Sequence, residues 1–139
     1  MALPKIKHCI VCEDARPEAN KLATILGFFG IAPDVEILLK DFEKPVRQLT
    51  FLLMGGHGQL RGKISVRIFD MHGRPVIDTP MLDIDKTAPE GKNMSLIFSF
   101  GNVHFRQAGE YKVIFMMDGQ QFYDNTFAVA LGQPGDFTF

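Results

Sequence analysis

Apolar residues recur at every second position along much of this chain, and that spacing is the strongest constraint on its fold. Met94, Leu96, Phe98 and Phe100 fall on one side of an extended segment, with Ser95, Ile97 and Ser99 on the other. Ile64, Val66 and Ile68 alternate with Lys63, Ser65 and Arg67. Tyr111, Val113, Phe115 and Met117 repeat the pattern, as do Phe127, Val129 and Leu131. A strand sends successive side chains to opposite faces, whereas a helix needs a period of 3.6. Only Leu39, Phe42, Val46 and Leu49 come near helical spacing, and Pro45 would break that helix at a cost of about 3 kcal/mol. Residues 40–48 therefore read as a loop with at most one helical turn.

Turn chemistry separates the strands. Asp70-Met71-His72-Gly73 reads as a type I turn closed by glycine, joining strands 61–70 and 74–78. Asp118-Gly119 is a hairpin signal between 110–117 and 121–131. Further strands are expected at 5–14, 21–29, 49–54 and 94–100. A glycine-rich loop is expected at 55–62 and a longer polar connection at 79–92. The expectation is an all-β protein of about eight strands, a two-layer antiparallel β-sandwich of immunoglobulin-like or jelly-roll kind. At 139 residues it is long enough for one domain with its own core, 1–139, and 132–139 reads as an extended tail.

The charge balance narrows the partners. Fifteen Lys and Arg stand against sixteen Asp and Glu, a net charge of −1, so long-range attraction to nucleic acid or an anionic membrane is not expected. The N-terminus carries no signal-peptide apolar core. No run of 18 apolar residues suggests a spanning helix. Two cysteines in one apolar strand pattern fit a cytoplasmic protein with reduced thiols.

Two stretches resemble known proteins. Phe105-Arg106-Gln107-Ala108-Gly109-Glu110-Tyr111 is similar to the start of a late strand in immunoglobulin-like sandwiches, where the tyrosine packs at a sheet corner. Cys12-Glu13-Asp14-Ala15-Arg16-Pro17-Glu18, followed by Lys21-Leu22 and Gly27-Phe28-Phe29, resembles the opening of a family of small uncharacterised bacterial β-sandwich proteins. The Asp70 turn and closing hairpin extend that resemblance over most of 5–131. Ala19-Asn20 departs from the glycine turn usual there. The resemblance implies a fold and no activity or catalytic residues.

The chemical motifs read as structural. Cys9-Ile10-Val11-Cys12 spells C-x-x-C, but on a strand its two thiols face opposite ways, which opposes both a disulfide and shared zinc ligation. Gly56 to Lys63 is one residue too long for a phosphate-binding loop and leads into a strand. Asp83, Asp85 and Glu90 lack calcium-loop spacing and read as a solvated loop. Ser65, Ser95 and Ser99 point outward with no nucleophile elbow. His8, His57, His72 and His104 are scattered. No catalytic residue, metal or cofactor is expected.

Association surfaces are the remaining signal. Glu13, Asp14, Arg16, Glu18 and Lys21 cluster around the first turn as a candidate interaction edge. Residues 22–29, 49–54 and 113–117 are apolar on both faces, more than a sandwich strand needs, with Ile114 and Met116 as a candidate apolar interface. The favoured reading is a non-enzymatic accessory module that binds another protein or itself as a homodimer. The alternative is a sandwich that takes a sugar or small molecule in a pocket lined by exposed aromatics. An unrecognised enzyme is the third reading.

Overall fold

A computed structural model describes residues 2–17, 23–79 and 81–132. Ten strands follow one another: β1 (Ile6–Pro17), β2 (Ala23–Ile31), β3 (Asp34–Leu39), β4 (Val46–Gly55), β5 (Gly58–Phe69), β6 (Pro75–Asp78), β7 (Leu82–Ala88), β8 (Met94–Val103), β9 (Gly109–Met117) and β10 (Gln120–Leu131). The described residues contain no helix, so none is long and apolar enough to cross a membrane.

The all-β reading holds, with three corrections. The described residues form ten strands rather than eight. One pair, β3 with β10, is parallel. The hydrogen-bonded order β6-β5-β9-β10-β3-β2-β1-β4-β8 is continuous, with β7 also on β5, so the sheet is nearly closed and barrel-like instead of two clearly separate layers. β3 makes the join: it pairs with β2 on one side and with β10 on the other.

Both missed strands have a physical explanation. β7 lies inside the expected polar connection 79–92. Its Asp83 and Asp85 stand opposite Lys63 and Arg61 of β5, so acidic residues that suggest a loop are the outer face of a strand. β3 is six residues long and its parallel partner lies some ninety positions away in sequence. The glycine-rich stretch is also shorter as a loop than expected. β4 ends at Gly55 and β5 begins at Gly58. Gly58 to Gly62 is strand, paired with β7.

The turns form as their residues dictate. Asp70 Oδ1 accepts from the amides of His72 and Arg74, both at 2.8 Å, and Gly73 takes φ 77°. Asp118 (φ 49°) and Gly119 (φ 80°) supply the paired positive φ of a tight hairpin between β9 and β10.

Alternate residues meet in one core. Phe51, fully buried, has its ring centroid 5.8 Å from Phe115, 6.1 Å from Phe100 and 6.2 Å from Phe127. Phe105, Tyr111 and Phe127 form a second aromatic group. The Tyr111 hydroxyl donates to the Gln107 carbonyl at 2.7 Å, which pins the 105–111 bend to the start of β9. One polar side chain interrupts the core. Asn125, opposite Val113, is buried, and its Nδ2 has no hydrogen-bond partner among the described residues. An unpaired buried amide costs about 1–3 kcal/mol. Asn125→Val is therefore expected to raise stability by about 1 kcal/mol or more, read from the urea midpoint; a fall would show that the amide is held by a bond worth more than its burial costs.

Candidate interaction face

The outward surfaces of the two halves of the sheet differ in kind. On the β5–β9–β10 side the outer positions carry ion pairs. Lys63 meets Asp83 at 3.0 Å, Arg67 meets Asp78 at 3.1 Å and Lys112 meets Asp124 at 3.3 Å. This is a solvated face, in which each exposed pair contributes little stability. Ile114 and Met116 belong to it. They flank Arg67 and Ser65 of β5, and both are half-buried rather than projecting.

The outer face of β2–β1–β4–β8 is different. Strand register aligns it into transverse rows. Ile31, Ile10, Leu52 and Ile97 form one row across the four strands. Phe28, Cys12, Thr50 and Ser99 form the next. Beyond it lie Leu26, Asp14, Gln48 and Gly101, with Gln48 Nε2 donating to Asp14 Oδ1 at 3.0 Å. On the other side of the isoleucine row stand His8, Met54 and Ser95. Phe28 is 58 % exposed, Ile31 47 %, Leu26 41 % and Ile97 38 %. Four large apolar side chains on one sheet face form a contiguous patch rather than scattered exceptions.

A bulge shapes this patch. Val11 pairs with Gly30 and Cys12 with Phe28, so Phe29 is an extra residue in β2. The extra residue reverses the alternation. Phe29 turns to the core, while Phe28 and Ile31 both stay outward. Gly30 takes φ 147° at this step, and an added Cβ would strike the Asp34 carbonyl, so the β2–β3 corner requires glycine there.

The expected charged edge adjoins this face. Glu13, Asp14 and Arg16 line a groove of about 460 Å³ together with Leu26, Val46 and Gln48. Arg16 Nε donates to Asp14 Oδ2 at 2.8 Å. Glu18 and Lys21, and the tail from 133 onward, lie outside the described residues. The groove thus joins three of the five edge residues to Leu26, a feature invisible in sequence because β2 and β4 supply its other walls.

A second concavity of about 510 Å³ lies at the Asp70 turn, against Arg74, His104, Arg106 and Gln107. Tyr111, the one Phe, Tyr or Trp lining it among the described residues, is 2 % exposed, so its ring offers no open stacking platform for a sugar. Asp70 is already committed: Arg74 Nε donates to its Oδ2 at 2.9 Å. Desolvation, the largest single effect, pushes its carboxyl up, and the amides of Arg74 and His72 with the Arg74 side chain together outweigh it and hold the carboxyl below the usual range.

The cysteines are separated as their spacing predicts. Both are free and fully buried, Cys9 in the core and Cys12 in the outer row beside Thr50. Burial pushes the Cys9 thiol up to about 12, and the Cys12 thiol up to about 11 with the Asp14 charge adding. Such thiols are poor nucleophiles and poor metal ligands at neutral pH. The histidines do not converge either. His104 Nε2 lies 2.8 Å from the Phe42 carbonyl, and no three metal-binding side chains group together among the described residues.

No protein-family model matches the chain, and no curated protein matches it significantly.

Proposed function

We propose that this chain is a non-enzymatic interaction module of immunoglobulin-like sandwich architecture that binds another protein, or itself, through the outer face of β2–β1–β4–β8. The observation that carries the reading is the contrast between two outer faces. One is laced with ion pairs; the other presents Leu26, Phe28, Ile31 and Ile97 to solvent. A face that meets only water gains nothing from those four residues, and a face that meets a partner does.

Three features support the architecture. The Tyr111–Gln107 bond has the form of a tyrosine corner. The continuous order keeps β2-β1-β4-β8 on one side of β3 and β5-β9-β10 on the other, which is compatible with a sandwich joined through the parallel β3–β10 pair. The Cys12 to Phe29 opening fits the small bacterial β-sandwich family it resembles. The free buried thiols support a reducing, cytoplasmic setting.

A photo-crosslinking phenylalanine analogue placed at Ile97 in living cells of the native host tests the reading, with the same analogue at Arg67 as the comparison. Ile97 is expected to give discrete covalent adducts and Arg67 none. An Ile97 position that yields no adduct would remove the assignment of this face as an interface.

A further inference from the structure

The four rows have a property beyond being apolar: their bulk is distributed unevenly from edge to edge. The β2 edge carries Leu26, Phe28 and Ile31, the most exposed large residues of the face. The β8 edge carries Gly101, Ser99, Ile97 and Ser95, three of them small. The middle strands are level, with Cys12, Thr50 and Leu52 all buried. One side of the face is a ridge and the other a shallow lane.

We infer that the occupant of this face is a second copy of the chain, related by a two-fold axis that runs along the strand direction between β1 and β4. This rests on the interaction-module reading above and names the partner. The operator lays β2 of each copy over β8 of the other while keeping each row opposite itself. Leu26 then faces Gly101, Phe28 faces Ser99 and Ile31 faces Ile97, twice over by symmetry. Two of these pairs set a large residue against a small one, and the third, Ile31 against Ile97, closes an apolar contact between them, each repeated by symmetry as in an isologous interface. Asp14 comes opposite Gln48, the side chain whose amide it already accepts from within its own copy. The alternative two-fold, across the strands, sets ridge against ridge and leaves two serine-glycine lanes facing each other across a void, which close packing opposes.

Size and charge agree with this occupant. A patch with three rows four strands wide and a fourth row three strands wide spans roughly 20 by 25 Å. Two such patches face to face cover on the order of 1,000 Å² in plan, at the lower bound for a stable interface. Apart from the buried Cys12 thiol, Asp14 and His8 are the ionisable side chains in the rows, toward opposite ends of β1. The centre is uncharged, so self-apposition brings no like charges together there. Aligned packing of two sheets about 10 Å apart is an ordinary arrangement for such faces.

Native mass spectrometry and sedimentation equilibrium of the full chain test it. The expected result is a dimer free of adducts. Phe28→Asp should weaken dimerisation by about 30-fold or more, as for a central interface residue. Gly101→Leu should do likewise by filling the lane, and Leu26→Ala combined with Gly101→Leu should restore the dimer, because the bulk has only changed sides. Both positions are exposed, and a cooperative thermal transition whose midpoint no longer depends on concentration shows that the monomeric variants remain folded. A chain that stays monomeric at every concentration overturns the proposal. So does a dimer that ignores these changes and is broken by Met116→Glu, or a double variant that fails to recover. A monomeric purified chain that still gives Ile97 adducts with a different protein overturns the second copy alone; absent adducts overturn the interface itself.

Discussion

Phe51→Ala is expected to remove about 3–5 kcal/mol of folding stability. Phe51 has no exposed surface, and three phenylalanine rings approach it within 6.2 Å, from β8, β9 and β10. Truncation leaves a cavity bounded by rings on strands that are hydrogen-bonded on both sides or held in register, so the walls close in only partly. A domain of this size has about 5–15 kcal/mol in total, so this truncation alone removes a large share of it. Urea unfolding should show a lower midpoint at constant slope. Phe28→Ala is the comparison: at 58 % exposure it should change monomer stability by about 1 kcal/mol or less. A Phe51 loss as small as that would show that the core refills from the partly buried phenylalanines around it.

Alkaline pH should destabilise the protein steeply. Both thiols are raised from about 9, Cys9 to about 12 and Cys12 to about 11, chiefly by burial. The folded chain therefore keeps two protons that the unfolded chain releases between pH 9 and 11. Stability is unaffected by these groups below their unfolded value and falls as pH rises through that window. The slope is about 1.4 kcal/mol per pH unit for each thiol. Tyr123 is also raised, chiefly by burial, and adds the same sign above its own ordinary value. Unfolding curves at pH 8, 9 and 10 should show the decline, and Cys9→Ala with Cys12→Ala should flatten it. Thiolate at Cys9 is suppressed by about a thousand-fold relative to an ordinary thiol, so a thiol reagent should label the native protein far more slowly than the unfolded one. Rapid native labelling, or a flat pH response with both cysteines present, would place the thiols in contact with water.

Much of the fold is legible in residue order because it is local. Alternation in 63–69, 94–100 and 111–117 reports strands directly, since neighbours along the chain determine which face each side chain takes. The Asp70 and Asp118-Gly119 turns are equally local. β3 and β7 escape notice because their evidence lies elsewhere. Asp83 and Asp85 read as strand only once Lys63 and Arg61 stand across from them. Val35 and Ile37 become core only once β10 lies beside β3.

The candidate site divides the same way. Double-sided apolar character is visible at 22–29, 49–54 and 113–117, and it marks three possible interfaces without ranking them. Pairing decides among them. It aligns the apolar residues of β2 with Ile10 and Leu52 on β1 and β4 in one face, while β9 lies between strands whose outer residues are ionic, leaving Ile114 and Met116 half-buried. The Phe29 bulge adds Ile31 to that face, against the simple alternation of the segment. Sequence by itself determined eight of the strands, the Asp70 and Asp118-Gly119 turns and the surplus of apolar surface, because these depend on neighbours within a few residues. Only the tertiary structure decided where that surplus accumulates, because the composition of a sheet face is a sum over strands brought together from distant parts of the chain.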